Sequence, residues 1–193
     1  MKVIGITGGI GSGKSTLSQL FEIWGIPVYI ADTQAKKLMN DSIEIRKQLT
    51  REFGEAIYLE NSLDRKKLAS LIFNNPDNIS YVNSIVHPAV YTDFQIWARK
   101  KKETTIAIES AILFDSGFDS FCNFKITVIA PLEVRIKRVM ERDQLSEDEI
   151  KNRISNQLPD DERVSRSDFI VVNDEVQALI PQMKKITATF KAF

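Results

Sequence analysis

The chain is poor in the residues that build disulfide bonds and transition-metal sites. Its 193 residues include one cysteine, Cys122, and one histidine, His87. A single cysteine cannot form an internal disulfide, so we expect Cys122 to be a small buried apolar residue. One residue of each type also excludes a metal site built from histidine and cysteine ligands.

Long apolar runs and an excess of either charge are missing as well. The apolar stretch over residues 105–114 is interrupted by Glu109 and is too short to cross a membrane. The 26 basic and 26 acidic residues balance, so bulk charge indicates neither a nucleic-acid partner nor an acidic tail. No leader peptide fits before the first motif at Gly8, and we therefore expect a cytoplasmic protein.

What the sequence does contain is a phosphate-binding motif near its start. Residues Gly8-Gly9-Ile10-Gly11-Ser12-Gly13-Lys14-Ser15 match G-x-x-x-x-G-K-[S/T]. Glycines let backbone N–H groups turn inward around an anion, and the helix predicted from Thr16 adds its positive end. Lys14 adds a full charge, and the Ser15 hydroxyl suits Mg²⁺. The full motif between a strand and a helix favours nucleoside triphosphate binding by residues 8–16 over an ordinary glycine-rich turn.

Strands and helices alternate along the rest of the chain. Near-continuous apolar runs predict strands at residues 2–7, 28–30, 104–109, 124–130 and 169–172. Helices are predicted at 16–22, 33–40, 42–53, 64–73, 76–102, 131–142, after a capping box at Ser146, and at 175–193. This order predicts an α/β fold with a parallel five-stranded sheet flanked by helices, in a single domain spanning 1–193. Residues 33–102 form a helical insertion between strands.

Two acidic residues are expected at the ligand-binding edge of this sheet, where the carboxyl ends of the strands meet. Asp32 follows the second strand; it could accept a proton from a substrate hydroxyl, orient that hydroxyl or take part in a metal shell, or it could cap a helix starting near Thr33. Glu109 ends an apolar strand, as expected of an acid that holds Mg²⁺ or its water. Asp115 competes with Glu109 for this role, and both could be ordinary polar strand ends.

Arginines are concentrated ahead of the last strand. Arg135, Arg138 and Arg142 share one helix face because they are spaced i, i+3 and i+7. Arg153 and Gln157 are spaced i, i+4 on the next predicted helix. The cluster predicts an arginine-bearing lid over about 138–166 that closes on ATP, although any single arginine could belong to a solvated, ion-paired surface.

The class of nucleotide-binding protein can be narrowed by missing motifs. The guanine-reading Asn-Lys-x-Asp and the switch Asp-x-x-Gly of GTPases do not occur in the chain. A short chain with a helical insertion and a basic lid indicates a small-molecule kinase. A kinase of another small alcohol or nucleotide, or a nucleotide-binding regulator with no acceptor, remains an alternative.

Several motifs together resemble the dephospho-CoA kinase family, from Val3 to about Asn173. They are Thr7–Ser15, Ala31-Asp32, Val86-His87-Pro88, Ile112-Leu113-Phe114-Asp115-x-Gly117, Arg138-x-x-x-Arg142, Arg153-x-x-x-Gln157 and Ser167–Asn173. The chain departs from the family pattern at Ile30, where the first Asp of Asp-Ala-Asp is usual, and at Asp115, where Glu is usual.

The resemblance implies transfer of the ATP γ-phosphate to the 3′-hydroxyl of dephospho-CoA, completing coenzyme A with Mg²⁺ as cofactor. It implies that Asp32 is the catalytic base, assisted by Lys14 and by Arg142 from the lid. Arg138 would contact ATP and Asn173 would border the adenine. The implied acceptor-binding residues are Asp32, His87, Arg153 and Gln157; His87 could also be a structural hydrogen-bonding residue. The implied partners are ATP and dephospho-CoA, and we expect a monomer, with an oligomer left open.

Overall fold

The apolar runs of the sequence form the strands of the structure, a computed structural model. Residues 1–60, 62–72 and 75–191 are described. Within them the strands are β1 (Lys2–Thr7), β2 (Val28–Ile30), β3 (Tyr58–Leu59), β4 (Ser62–Leu63), β5 (Thr105–Glu109), β6 (Phe124–Ile129) and β7 (Phe169–Val172).

Five of these strands form one sheet in the order β2-β5-β1-β6-β7. Strand β1 pairs in parallel with β5 on one side and β6 on the other, and β6 pairs in parallel with β7. Side chains of the central strands are fully buried, among them Ile4, Ile6, Ile106, Ile108 and Ile126. Burial of each such side chain stabilises the fold by about 1.5–3 kcal/mol. The predicted parallel five-stranded sheet flanked by helices is confirmed.

Along the described part of the chain, α-helices lie between most of the strands, but not between β3 and β4 or between β5 and β6. They are α1 (Lys14–Ile23), α2 (Ala31–Asp41), α3 (Ile43–Phe53), α4 (Arg65–Ile72), α5 (Pro76–Arg99), α6 (Leu132–Asp143), α7 (Glu147–Ser155), α8 (Asp160–Ser165) and α9 (Leu179–Lys191). None of the helices in the described residues is long and apolar enough to span a lipid bilayer.

The chain divides into two units. The first comprises Met1–Tyr29 and the chain from Lys102 onward, and it contains the phosphate-binding motif and almost all of the five-stranded sheet. The second, Ile30–Lys101, contains α2–α5 and the β3–β4 hairpin. Its core includes a stripe of α5 residues at four-residue spacing: Val82, Val86, Val90, Phe94 and Ala98.

Local interactions explain where the elements differ from the sequence-based prediction. The closing helix begins at Leu179 rather than at residue 175, because the Asp174 carboxylate accepts hydrogen bonds from the Val176 and Gln177 amides at 3.0 and 2.7 Å. These bonds form a turn that competes with the helix. The β3–β4 hairpin and α8 were not predicted, since each is very short. Phe73, Ala192 and Phe193, predicted to be helical, lie outside the described residues.

Candidate nucleotide-binding site

The glycine-rich motif connects β1 to α1, as its sequence context predicts. Gly11 and Gly13 have φ angles of 77° and 99°, in the left-handed region that favours glycine. The Ser12 amide donates to the Gly9 carbonyl at 3.2 Å, which tightens the loop. A Cβ atom at Gly13 would also collide with the side-chain amide of Asn173. Both conformation and space therefore require glycine at this position.

Helix α1 begins with its positive end uncapped by the protein. Gly13 occupies the N-cap position, so no side chain caps the helix, and the first turn contains no acidic residue. The first amides of an α-helix have no acceptor within the helix. Here they belong to Lys14, Ser15 and Thr16, directly after the glycine loop. An uncapped helix start of this kind binds anions, phosphates above all.

Lys14 lies against the loop that precedes it. Its ammonium group donates to the carbonyl oxygens of Gly8 at 2.9 Å and Gly9 at 3.3 Å. Together with the positive end of α1, this places a full positive charge within the loop.

Glu109 is anchored to α1 at the end of β5. It is 7% exposed, and its carboxylate accepts a hydrogen bond from the Ser18 hydroxyl at 2.6 Å. Ser15 and Ser18 are neighbours on one face of α1 because they are three residues apart. Two oxygen groups, the Ser15 hydroxyl and the Glu109 carboxylate, thus lie along the same helix face. Among the described residues, no group of three or more acidic, histidine or cysteine side chains could hold a metal ion.

Two predicted ATP-binding residues contact the loop backbone. The Asn173 side-chain amide donates to the Ser12 carbonyl at 2.9 Å. The Arg138 guanidinium lies 3.5 Å from the Gly11 carbonyl and donates to the Asn173 carbonyl at 3.2 Å. Arg138 also pairs with Glu175 at 3.2 Å. The structure therefore brings α6 and the end of β7 to the glycine loop.

Gln157 contacts the same loop from the segment after α7. Its side-chain oxygen accepts a hydrogen bond from the Ile10 amide at 2.8 Å. The spacing predicted that Gln157 and Arg153 share one helix, and the family resemblance implied that both bind the acceptor; Arg153 is exposed on α7. The predicted i, i+4 pair does not share one helix, because Gln157 lies beyond the end of α7 at Ser155.

Arg142 lies away from these loop contacts, although it shares the sequence periodicity of Arg138. Its side chain is 60% exposed and pairs with the adjacent Asp143 at 2.7 Å. The hydrogen bond with Asp143 raises the pKa of the Arg142 guanidinium. In this conformation Arg142 forms the solvated ion pair that the sequence left as an alternative.

Three further side chains at the loop were not selected as site residues: Arg135, Asp160 and Arg163. Arg135 and Arg163 are 4% and 2% exposed, and both pair with the Asp160 carboxylate, at 2.6 and 2.7 Å. Arg135 also donates from Nε to the Ile10 carbonyl at 2.9 Å. Periodicity placed Arg135 on the face of Arg138, but no sequence signal showed that it would be buried.

In the second unit, Asp32 lies in the first turn of α2 and is half-buried. The N-cap position belongs to Ile30, so the alternative that Asp32 caps this helix is wrong. A carboxylate in the first turn is stabilised by the helix dipole. His87 lies half-buried in the middle of α5, next to Pro88. Asp115 is exposed in the turn after β5.

A parallel sheet, a glycine loop after its central strand and an uncapped helix behind that loop define a nucleotide-binding kinase fold of the P-loop class. A family model described as dephospho-CoA kinase matches residues 2–178. A dephospho-CoA kinase from Bacteroides fragilis is 41% identical over 186 residues, which cover 96% of this chain and 91% of the relative. The chain belongs to the dephospho-CoA kinase family.

Two solved structures extend the similarity to the whole fold. One, of a protein from Thermus thermophilus, has a TM-score of 0.85 and 31% identity, covering 100% of this chain and 97% of the other. The other, of a dephospho-CoA kinase from Campylobacter jejuni, has a TM-score of 0.66 and 25% identity, covering 99% and 96%. The chain is accordingly a phosphotransferase with an alcohol acceptor, and ATP is its co-substrate.

Proposed function

We propose that the chain transfers the γ-phosphate of ATP to the 3′-hydroxyl of the dephospho-CoA ribose, producing coenzyme A and ADP. One observation carries the site assignment: the uncapped start of α1 directly behind the glycine loop. Membership of the dephospho-CoA kinase family supports the choice of acceptor.

The triphosphate binds at the loop in this proposal. The α1 amides of Lys14, Ser15 and Thr16 donate hydrogen bonds to phosphate oxygens, together with the loop amides from Gly8 to Gly13 other than those of Ile10 and Ser12, which bond within the protein. The Lys14 ammonium then exchanges its contacts with loop carbonyls for the β- and γ-phosphates. Arg138 and Asn173 border the nucleotide from α6 and the end of β7.

Oxygen ligands suited to Mg²⁺ are present beside the loop. The Glu109 carboxylate is bonded to Ser18, three residues after Ser15 on α1, and the Ser15 hydroxyl and the Glu109 carboxylate are both hard oxygen donors of the kind Mg²⁺ prefers. We propose that Ser15 binds the ion and that Glu109 holds one of its waters. When bound with ATP, Mg²⁺ neutralises charge on the phosphate oxygens.

Asp32 is the proposed catalytic base. Its carboxylate accepts the proton of the 3′-hydroxyl as the oxygen attacks the γ-phosphorus, and ADP leaves on the opposite side. Residues 33–102 hold the acceptor, with His87 and Arg153 as candidate contacts. Arg142 reaches the phosphates when the lid, residues 138–166, closes.

We further propose that the enzyme works as a cytoplasmic monomer, without a nucleic-acid or membrane partner.

An acceptor panel tests the proposed function. The purified protein is incubated with ATP, Mg²⁺ and one acceptor: dephospho-CoA, adenosine, AMP, pantetheine or shikimate. We expect dephospho-CoA to be phosphorylated with a kcat/KM far above that of the others, and mass spectrometry of digested product to place the phosphate on the ribose 3′-oxygen. Comparable turnover of another acceptor, or ATP hydrolysis with no phosphorylated product, would refute the assignment.

A further inference from the structure

A buried group of charged side chains lies directly beside the phosphate-binding loop. We call Arg135, Asp160 and Arg163 the arginine–aspartate cluster. One Asp160 oxygen accepts from Arg135 at 2.6 Å and the other accepts from Arg163 at 2.7 Å. Two arginines share one carboxylate, so the cluster carries a net positive charge. Asp160 is 35% exposed at its side chain, whereas both arginine side chains are almost completely buried.

Burial of this cluster is costly. Each buried guanidinium loses its hydration, and one shared carboxylate compensates this loss incompletely. Arg163 Nη2 is buried without a hydrogen-bond partner among the described residues. Burial also lowers the pKa of the Arg163 guanidinium, an effect that Asp160 opposes. A purely apolar contact would stabilise the fold more simply, so the arrangement calls for a functional reason.

The contacts of Arg135 indicate that the cluster acts on the phosphate-binding loop. Its Nε donates to the Ile10 carbonyl at 2.9 Å while its Nη1 is held by Asp160. The guanidinium covers Gly9 so closely that a Cβ there would collide with it, and a Cβ at Gly11 would lie 2.6 Å from the Arg135 carbonyl oxygen. The Arg135 guanidinium therefore occupies the space that a side chain at Gly9 would need, whereas the close contact at Gly11 is made by the backbone of residue 135.

Gln157 bonds to the second backbone polar group of Ile10, the residue whose carbonyl accepts from Arg135. Its side-chain oxygen accepts from the Ile10 amide at 2.8 Å, so both backbone polar groups of Ile10 bond to side chains from the segment 132–166. Ile10 lies between Gly9 and Gly11 in the glycine-rich loop, and these flanking glycines would otherwise give the backbone many accessible conformations. Fixing its two polar groups fixes the direction in which the neighbouring amides point.

We propose that Arg135 and Gln157 are positioning residues that hold the loop in its phosphate-binding shape, and that Asp160 and Arg163 orient Arg135. Through Arg135 the cluster also brings positive charge to the loop, which favours an anionic triphosphate, and Asp115 offsets part of that charge at Arg163. This inference rests on the proposed function, because it assumes that ATP binds at this loop. It assigns Gln157 to the loop rather than to the acceptor.

The first test exchanges Arg135 for lysine. Arg135→Lys keeps a positive charge near Asp160, but one ammonium cannot replace the fork that bonds Asp160 and Ile10 together. We expect the Kd and KM for ATP to rise about tenfold, the loss associated with one hydrogen bond to a charged group. The Kd and KM for dephospho-CoA should remain unchanged. Lys137→Arg, at an exposed position of the same helix, is the matched control and should leave both substrates unaffected.

The second test uses Gln157, which lies nearer the surface, so its replacement disturbs folding less. Gln157→Ala should raise the KM for ATP and leave that for dephospho-CoA unchanged, while the adjacent Asn156→Ala should change neither. A rise confined to the dephospho-CoA KM would overturn the proposal and support an acceptor-binding role. A lower melting temperature with unaltered affinity for ATP in both variants would overturn it in favour of a purely structural role.

These outcomes differ from a failure of the proposed function. If the wild type phosphorylates dephospho-CoA and Arg135→Lys binds ATP normally, only the positioning role is overturned. If the wild type binds ATP but phosphorylates no acceptor in the panel, the proposed function fails, and a selective loss of ATP affinity in the variants would still support the positioning role.

Discussion

At the scale of single residues, burial and local partners decide what each functional group does. Asp32 and Asp41 are both acids of α2, but Asp32 lies half-buried in the first turn and Asp41 is exposed at the last residue. The sequence alone could not choose between a base and a helix cap for Asp32. The cap alternative fails because α2 begins two residues earlier than predicted, at Ala31.

Replacing the proposed base should affect turnover rather than nucleotide binding. We expect Asp32→Asn to lower kcat by about two to four orders of magnitude, the usual contribution of a positioned base, with little change in ATP affinity. Steady-state kinetics and ATP titration would measure the two effects separately. Asp41→Asn is the control and should remain fully active. Nearly normal turnover in Asp32→Asn would contradict the assignment.

Cys122 should make stability depend on pH under alkaline conditions. Burial, with the nearby Asp119, raises the pKa of its thiol from 9.0 to about 12. The unfolded chain therefore loses this proton at a lower pH than the folded chain. The thiol's contribution to stability is complete below pH 9 and declines as the pH rises towards 12, by at most about 1.4 kcal/mol per pH unit.

Urea unfolding of the wild type and of Cys122→Ala across this pH range would measure that contribution. The variant is needed as a reference because Tyr58 also has a raised pKa, caused by burial and opposed by Arg46, and its titration contributes to the pH dependence of both proteins. The free energy of unfolding should fall more steeply with pH in the wild type. Parallel pH profiles would show that the thiol of Cys122 ionises as readily in the folded chain as in the unfolded one.

At the scale of secondary structure, the sequence predicted the ends of helices most accurately where a side chain caps them. Ser146 begins α7 with a capping box: its hydroxyl accepts from the Glu149 amide at 3.3 Å, and the Glu149 carboxylate accepts from the Ser146 amide at 2.9 Å. Both partners are close in sequence, so the motif was recognisable. The start of α9 was misplaced because Asp174 forms a turn instead of a cap.

Removal of the Ser146 cap should destabilise the protein measurably. Ser146→Ala should lower the free energy of unfolding by about 1 kcal/mol at neutral pH. Hydrogen bonds from Ser146 lower the pKa of the Glu149 carboxyl, so the part of the cap that depends on the ionised carboxylate is present above pH 4.5 and is lost as the pH falls through the lowered value, while the bond from the Glu149 amide to the Ser146 hydroxyl remains. Chemical denaturation at pH 7 and pH 3 would test both statements. Ser155→Ala, at the other end of α7, should show neither effect.

At the scale of the whole molecule, ATP binding should stabilise the unit that carries the loop. A ligand that binds only the folded state adds about 2.7 kcal/mol when its concentration is one hundred times its Kd. Thermal unfolding with ATP and Mg²⁺ should therefore show a higher Tm, and Lys14→Met should remove most of the increase. Lys137→Met should retain it. An equal ATP-dependent shift in both variants would place the triphosphate elsewhere.

The sequence by itself determined the sheet, the phosphate-binding loop and the family. These features depend on residues that are neighbours in the chain: apolar runs, glycines at fixed spacing, and a lysine and serine at the start of a helix. The same local patterns selected Asp32, Glu109, Arg138 and Asn173 as residues near the carboxyl ends of strands or on one helix face.

Only the tertiary structure decided which side chains hold the loop. Arg135 and Asp160 are 25 residues apart, and Gln157 is 147 residues from Ile10. Arg135, Arg138 and Arg142 follow one periodicity, yet the first is buried, the second half-buried and the third 60% exposed. Periodicity reports the face of a helix, whereas burial depends on what packs against each turn of that face. The packing of α6 and α8 around the loop therefore had to be seen in the structure.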